Sequence, residues 1–265
     1  MNYYPTALTI AGSDSGGGAG IQADLKAFSF HFVHGTSAIT CITAQNPDGV
    51  SGILEIPIDL VEKQIQAVLD FFPVSSIKTG MLFSLSIINK VVETLKDKKL
   101  NLVVDPVMVA TSGAKLLKND AISAMLENLI PIASLVTPNK DEGEILLGKP
   151  IQDFDKMEDV TVEIYAKYKV PILLKGGHIP KENKLKDVLY DGHKISTFHS
   201  EYLPNVSTHG TGCTYSASIA ALLAKGHNLE NSVRLAKKYL HEAIQQSYSV
   251  GRVSSLNHSP GIGDF

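Results

Sequence analysis

The chain has 265 residues, a net charge of -3 and 44% hydrophobic residues, which suits one α/β domain spanning 1–265 better than two. With a pI near 6.3 it lacks the broadly basic surface that nucleic-acid binding favours, and no apolar run approaches the ~20 residues of a membrane span. Its two cysteines, Cys41 and Cys213, lie in no metal-type spacing, and the N-terminus shows no secretion pattern, so a reducing cytoplasm is expected.

Residues 7–11 read as a short apolar strand, followed at once by the glycine-rich stretch 12–20 and by helical apolar spacing over 21–32. Strand, glycine loop and helix make the first half of a βαβ unit, whose loop lies beyond the carboxyl end of the strand, where open α/β sheets bind ligands. The glycines fit neither a dinucleotide fingerprint nor a P-loop, and the alternative to a ligand loop is a plain flexible turn. Residues 36–44 are β-branched and predict a second strand, broken at Pro47 and Gly49. A helix is expected over 60–72, then a strand from Ser76 turning at Gly80-Met81, where Met81 is either ordinary core packing or an adaptable wall for a flat ring.

A helix over 87–96 precedes 100–104, which lacks polar alternation and predicts a buried parallel strand capped by Asp105. A carboxylate there is costly to bury unless it is paired or near a metal. After a helix over 119–129 and a strand over 135–137, Asn139 and Glu142 stand three apart at a predicted helix start. Both side chains would face the cleft of Asp105, or form a plain capping box. A helix over 158–169 and a strand over 171–174 lead to Lys175, a cation at the strand edge, with His178 beyond.

Residues 188–190 and 194–198 predict a hairpin, the one clear antiparallel feature. Next, Gly210 and Gly212 flank Thr211, and a small, apolar helix pattern begins near Cys213. Unpaired N–H groups and the positive end of a helix dipole, reached through a loop without bulky side chains, make an anion cradle. The alternative is an ordinary turn before a core helix. A final helix over 229–247 precedes a tail, 251–265, expected to be loosely ordered.

Seven motifs occur in order: Gly12-Ser13-Asp14, residues 17–24, Lys78-Thr79-Gly80-Met81-Leu82, Asp105-Pro106-Val107-Met108, Thr137-Pro138-Asn139, Lys175-Gly176-Gly177-His178 and residues 208–214. Each alone is unremarkable; together they resemble the hydroxymethylpyrimidine and phosphomethylpyrimidine kinases of thiamine synthesis, in the ribokinase-like superfamily. The resemblance implies a three-layer αβα fold with a mainly parallel central sheet, ATP and Mg²⁺ as cosubstrates, a small pyrimidine substrate and a homodimer. It implies pyrimidine contacts at Gly12, Ala19, Asp24, Gln45, Met81 and Val107, with Asp24 or Gln45 bonding the amino-pyrimidine edge. Asp105 and Glu142 would organise magnesium, Asn139, Lys175, Thr208 and Thr211 the nucleotide, and Gly210 to Cys213 the anion hole. Gly16 stands where the family often has Ser, and Thr111-Ser112-Gly113-Ala114 where it often has Lys-Ser-Gly-Asp.

Many related sugar kinases place Asp as base where Cys213 stands. A thiol at a helix N-terminus has a lowered pKa and could accept the substrate hydroxyl proton, so Cys213 is the candidate base; the alternative is a small buried filler. Cys41 is expected in the core, and His209 and His178 beside the phosphate loops. Two other functions fit less well: a pyridoxal kinase, whose substrate is also a flat ring with a hydroxymethyl arm, and a nucleotide-binding regulator without turnover.

Overall fold

The computed structural model describes residues 4–108, 117–151, 154–177, 183–204, 206 and 208–261. Thr111 and its neighbours, and His178, lie outside them. The elements run β1 (Thr6–Asp14), α1 (Gly20–Phe30), β2 (His34–Asn46), β3 (Gly49–Glu55), α2 (Ile58–Phe71), β4 (Val74–Thr79), α3 (Leu85–Leu95), β5 (Asn101–Val104), α4 (Asn119–Ala124), β6 (Leu135–Val136), α5 (Lys140–Leu147), α6 (Met157–Tyr168), β7 (Ile172–Leu174), β8 (Lys184–Tyr190), β9 (Ile195–Glu201), α7 (Thr211–Ala224), α8 (Leu229–Gln245), β10 (Tyr248–Val250) and β11 (Val253–Ser255).

One sheet carries nine strands in the order β3-β2-β1-β4-β5-β6-β7-β8-β9. From β2 to β7 it is parallel. Because strand side chains alternate between faces, Leu8, Ile10 and Val104 enter one apolar cluster with α2, α3, α5 and α6. Ala7, Val103 and Leu173 enter the other, with α1, α7 and α8. Helices therefore cover both faces, the three-layer αβα sandwich that parallel strands require to bury both sides. Helix α7 is buried from Thr214 to Ala224, which is why its sequence shows no polar face.

Two expectations fail. The hairpin of β8 and β9 is not alone in being antiparallel: β3 pairs antiparallel with β2, and β8 with β7. Residues 49–55 are exposed along their whole length, so no burial pattern marks them as a strand. The tail is also ordered as far as Gly261. Leu256 and His258 are buried, His258 Nε2 bonds Thr214 Oγ1 at 3.1 Å, and the Tyr239 hydroxyl donates to the His258 carbonyl at 3.0 Å. Polar anchors spaced along an otherwise irregular segment leave no periodicity to read.

Candidate active site

Strand order reverses beside β1, whose neighbours are β2 on one side and β4 on the other, and such a switch point opens a crevice at the carboxyl ends of the strands. The glycine loop after β1 and Gly80-Met81 after β4 border it. A methyl group on Gly12 would lie 2.8 Å from Cys41 Sγ and 3.0 Å from Met81 Cε, so these three residues meet as one wall. Cys41 is buried there, as expected. Asp14 shapes the loop: its carboxylate accepts from the N–H groups of Gly16 at 2.8 Å, Gly18 at 3.1 Å and Ala19 at 2.8 Å. Burial opposes its charge, but His209 and those N–H groups outweigh burial and hold Asp14 below the usual carboxylate range. Gln45 adjoins the same loop through Ser15, whose hydroxyl donates to the Gln45 carbonyl and accepts its N–H, both at 2.8 Å.

The second glycine loop packs directly on the first. His209 Nε2 is 3.3 Å from Asp14 Oδ2, and Gly210, with φ of +80°, lies against the Gly18 carbonyl, where any side chain would overlap it. Helix α7 then starts at Thr211, two residues before the expected Cys213, with no side-chain cap. The Thr211 N–H and hydroxyl donate to the Thr208 carbonyl at 3.2 and 2.7 Å. By helix geometry the N–H groups of Gly212 and Cys213 still precede the first i→i−4 bond, which Thr214 N–H makes to Gly210 O at 2.9 Å. Such unpaired donors at the positive end of a helix are the arrangement in which anions bind.

Charges gather beside it. Lys175 Nζ is 2.9 Å from Asp105 Oδ1, and Thr137 Oγ1 donates to the same oxygen at 3.1 Å. A methyl group on Gly212 would stand 3.5 Å from Lys175 Nζ and 3.9 Å from Asp105 Oδ2, so a bare Gly212 keeps the ion pair open to the cradle. Against the cost of burial, Lys175 holds the Asp105 carboxyl below its ordinary pKa. The capping box is real: Asn139 Oδ1 accepts the Glu142 N–H and Glu142 Oε2 accepts the Asn139 N–H, both at 2.9 Å. Glu142 also accepts the Met108 N–H at 3.2 Å, so while it caps α5 its side chain also ties down the segment that follows Asp105. Burial pushes its pKa up to about 7, against the pull of Lys175. Between Asp105 and Met108, Val107 has φ of +45°, a strained conformation for a β-branched residue of the kind found at functional sites. Asn139, Lys175, Thr208, Thr211 and Gly212 line one cavity.

Two site expectations need correction. Asp24 is fully buried, its oxygens 2.9 and 3.0 Å from Lys78 Nζ and 2.6 Å from Thr9 Oγ1. Burial raises its pKa against the pull of the adjacent Lys78 ammonium and the Thr9 hydroxyl, and with no exposed surface its carboxylate serves this internal pair rather than a pyrimidine edge. Cys213 has no lowered pKa. Burial pushes its thiol up to about 11, outweighing the nearby Lys78 and the Gly20 N–H that lower it. Residue 213 keeps some surface, but the desolvated thiol rather than that surface sets the direction. Asp14 and Lys78 are site residues that the sequence pattern leaves without a role; their signal is a charged residue inside an apolar strand or tight turn, which demands a partner.

No group of three or more His, Cys, Asp or Glu that could hold a metal occurs among the described residues. The donors fit a cation held mainly by phosphate oxygens, since Mg²⁺ needs only one or two carboxylates besides them, and Asp105 Oδ2 adjoins the cradle.

An αβα sandwich with a crevice at the carboxyl edge of its parallel sheet, bordered by two glycine loops and a buried lysine–carboxylate pair, has the architecture of a ribokinase-like kinase. A model of the family described as phosphomethylpyrimidine kinase matches residues 14–258. The hydroxymethylpyrimidine/phosphomethylpyrimidine kinase of Bacillus subtilis is 39% identical, over 95% of this chain and 93% of its own. The thiamine biosynthesis bifunctional protein ThiED of Geobacter sulfurreducens is 44% identical over 92% of this chain, which spans only 50% of that relative. A solved ADP complex of Bacillus subtilis pyridoxal kinase superposes with a TM-score of 0.88 at 37% identity, covering 97% of this chain and 98% of the other. The chain belongs to the phosphomethylpyrimidine kinase family.

Proposed function

We propose that this protein transfers the γ-phosphoryl group of ATP to hydroxymethylpyrimidine and then to its monophosphate, in thiamine biosynthesis. The observation that carries the reading is the meeting of the two glycine loops, which sets the Gly12–Met81 wall beside the cradle of Gly210 to Cys213. Phosphoryl transfer passes through a loose transition state with charge spread over the transferred oxygens, so alignment and neutralisation supply most of the catalysis. Lys175 and the first-turn N–H groups of α7 meet that charge, and Asn139, Thr208 and Thr211 border the nucleotide. Asp105 would hold Mg²⁺, with Glu142 behind it; the ion would neutralise the phosphates. Ala19, Gln45 and Val107 border the substrate. Cys213 receives the alcohol proton in this reading, through the small ionised fraction that a pKa near 11 leaves.

A second reading, pyridoxal as substrate, is favoured by the TM-score of 0.88 to a pyridoxal kinase. Phosphorylation assays with hydroxymethylpyrimidine and pyridoxal in parallel separate the two. Turnover of the pyrimidine and its monophosphate is expected; pyridoxal alone would select the second reading, and silence from both would end the first. The regulator reading loses support, because a sensor has no use for Cys213 or for the Lys175–Asp105 pair. Free Cys41 and Cys213 suit a reducing cytoplasm. A homodimer is supported by Ile42, Val50, Ile53 and Leu54, which leave apolar surface exposed on β2 and the edge strand β3.

A further inference from the structure

A second cavity, of about 680 Å³, lies between α1, the end of α7 and residues 257–259, and shares no lining residue with the cavity beside the cradle. Its volume is in the range of small-molecule sites. Lys26 and Lys225 line it, and among the described residues no Asp or Glu does, so a chain of net charge -3 keeps a locally cationic groove here. His31 and His258 line it too, each spending Nε2 on a hydroxyl of α7: His31 on Ser218 at 2.5 Å, His258 on Thr214 at 3.1 Å. Burial, reinforced by Lys225 and His227 beside His31 and by Lys26 beside His258, keeps both rings neutral at pH 7. The charge on offer is therefore that of the two ammonium groups.

Aromatic rings supply the rest. Phe32 and Tyr248 line the cavity yet are 66% and 49% exposed, whereas neighbouring Phe30 stacks on Tyr239 with ring centres 4.3 Å apart. Phe32 follows the cap of α1, and its N–H and that of Val33 donate to the Ser29 and Phe28 carbonyls, both at 3.0 Å. Glycine is the ordinary residue at such a left-handed helix ending. Phe32 holds φ of +56° there, at a cost in strain that burial of its ring does not offset. Packing gives no reason for that ring, and a ligand covering it does. Lys26 also reaches the active site: its Nζ donates to the Gly17 carbonyl at 2.7 Å, one residue before the Gly18 carbonyl against which Gly210 lies.

Ammonium groups bind phosphate, and exposed aromatic faces suit a flat ring. We propose that this cavity is a second ligand site, for an aryl phosphate held by Lys26, Lys225 and the rings of Phe32 and Tyr248. A phosphate that engages Lys26 competes with the Gly17 carbonyl for it, so the bound ligand loosens the first glycine loop. Neither part rests on the kinase reading.

Calorimetric titration of the full chain with phenyl phosphate, phenol and inorganic phosphate tests the site, in wild type, Lys225→Met and Phe32→Gly. Phenyl phosphate should bind roughly 10-fold more tightly than either other probe, and each substitution should weaken it roughly 3- to 10-fold. Phe32→Gly should melt no lower than wild type, since glycine relieves the left-handed strain, which separates lost binding from lost folding. Hydrogen exchange at the amides of residues 16–19 tests the link: bound phenyl phosphate should quicken it in wild type and leave it unchanged in Lys26→Met. Absence of phenyl phosphate binding, binding that Lys225→Met and Phe32→Gly leave unchanged, or a lower melting temperature for Phe32→Gly would overturn the site. Binding in the expected pattern with unchanged exchange at 16–19 would overturn the link through Lys26.

Discussion

Gly210→Ala tests the convergence of the two loops, and Gly226→Ala is its internal control. Both glycines are left-handed, with φ of +80° and +84°, so alanine at either costs about 1–2 kcal/mol of backbone strain. At Gly226 a methyl group meets nothing within 4 Å, whereas at Gly210 it would overlap the Gly18 oxygen and lie 2.9 Å from the Gly18 carbonyl carbon. Relief to an ordinary contact of 3.4 Å or more drives the loops apart by roughly an ångström, since the obstacle is backbone and cannot rotate away. A displacement of that size at a reacting centre costs ~10²-fold in rate, equivalent to about 2.7 kcal/mol of transition-state stabilisation. Thermal melts should fall by several degrees in both variants, while kcat/KM should fall ~10²-fold only in Gly210→Ala. Similar kcat/KM values in the two variants would refute the claim that loop contact sets the active geometry.

Lys78→Met should destabilise the fold by about 3–5 kcal/mol in urea denaturation, because it strands Asp24 as a buried charge, and adding Asp24→Asn should recover much of the loss; additive effects would contradict the pairing. If Cys213 takes the proton from the alcohol, kcat/KM should climb about tenfold per pH unit between pH 7 and 9, below its pKa near 11. Cys213→Ala should lower the rate ~10²-fold and flatten that climb, and a profile unchanged by the substitution would leave the residue a packing role. Burial lowers His31 and His258 to about 4 from 6.5, so the unfolded chain binds more protons and stability falls as pH drops from 6.5 to 4. Each histidine accounts for up to roughly 3 kcal/mol, partly offset by Glu142, whose raised pKa near 7 favours the fold as pH drops towards 4.5. Denaturation at pH 7 and 4.5 should show a shallower loss in His31→Gln with His258→Gln, and an identical loss would rule this linkage out.

The sheet strands β1, β5 and β7 and the cap of α5 are legible in the sequence because their determinants are local: an apolar run for a strand covered on both faces, and Asn139 three residues before Glu142 for the cap. Residues 49–55 carry no such mark. They are a strand because β2 offers them an edge to pair with, and the backbone of β2 rather than their own side chains makes that choice. The ends of the site are readable for the same reason, since glycines that permit close approach and charges that follow apolar strands can be seen one segment at a time. What Asp24 and Cys213 do is not readable. A charge or a thiol takes its role from the groups around it, and both sit among neighbours distant in the chain. Lys78, 54 residues away, converts Asp24 from a ligand contact into an internal ion pair. Burial under the converged loops reverses the shift that a helix N-terminus would give Cys213. The sequence thus determined which segments bend, pair and carry charge; desolvation and partner choice, which exist only once those segments pack, decided what the charges are for.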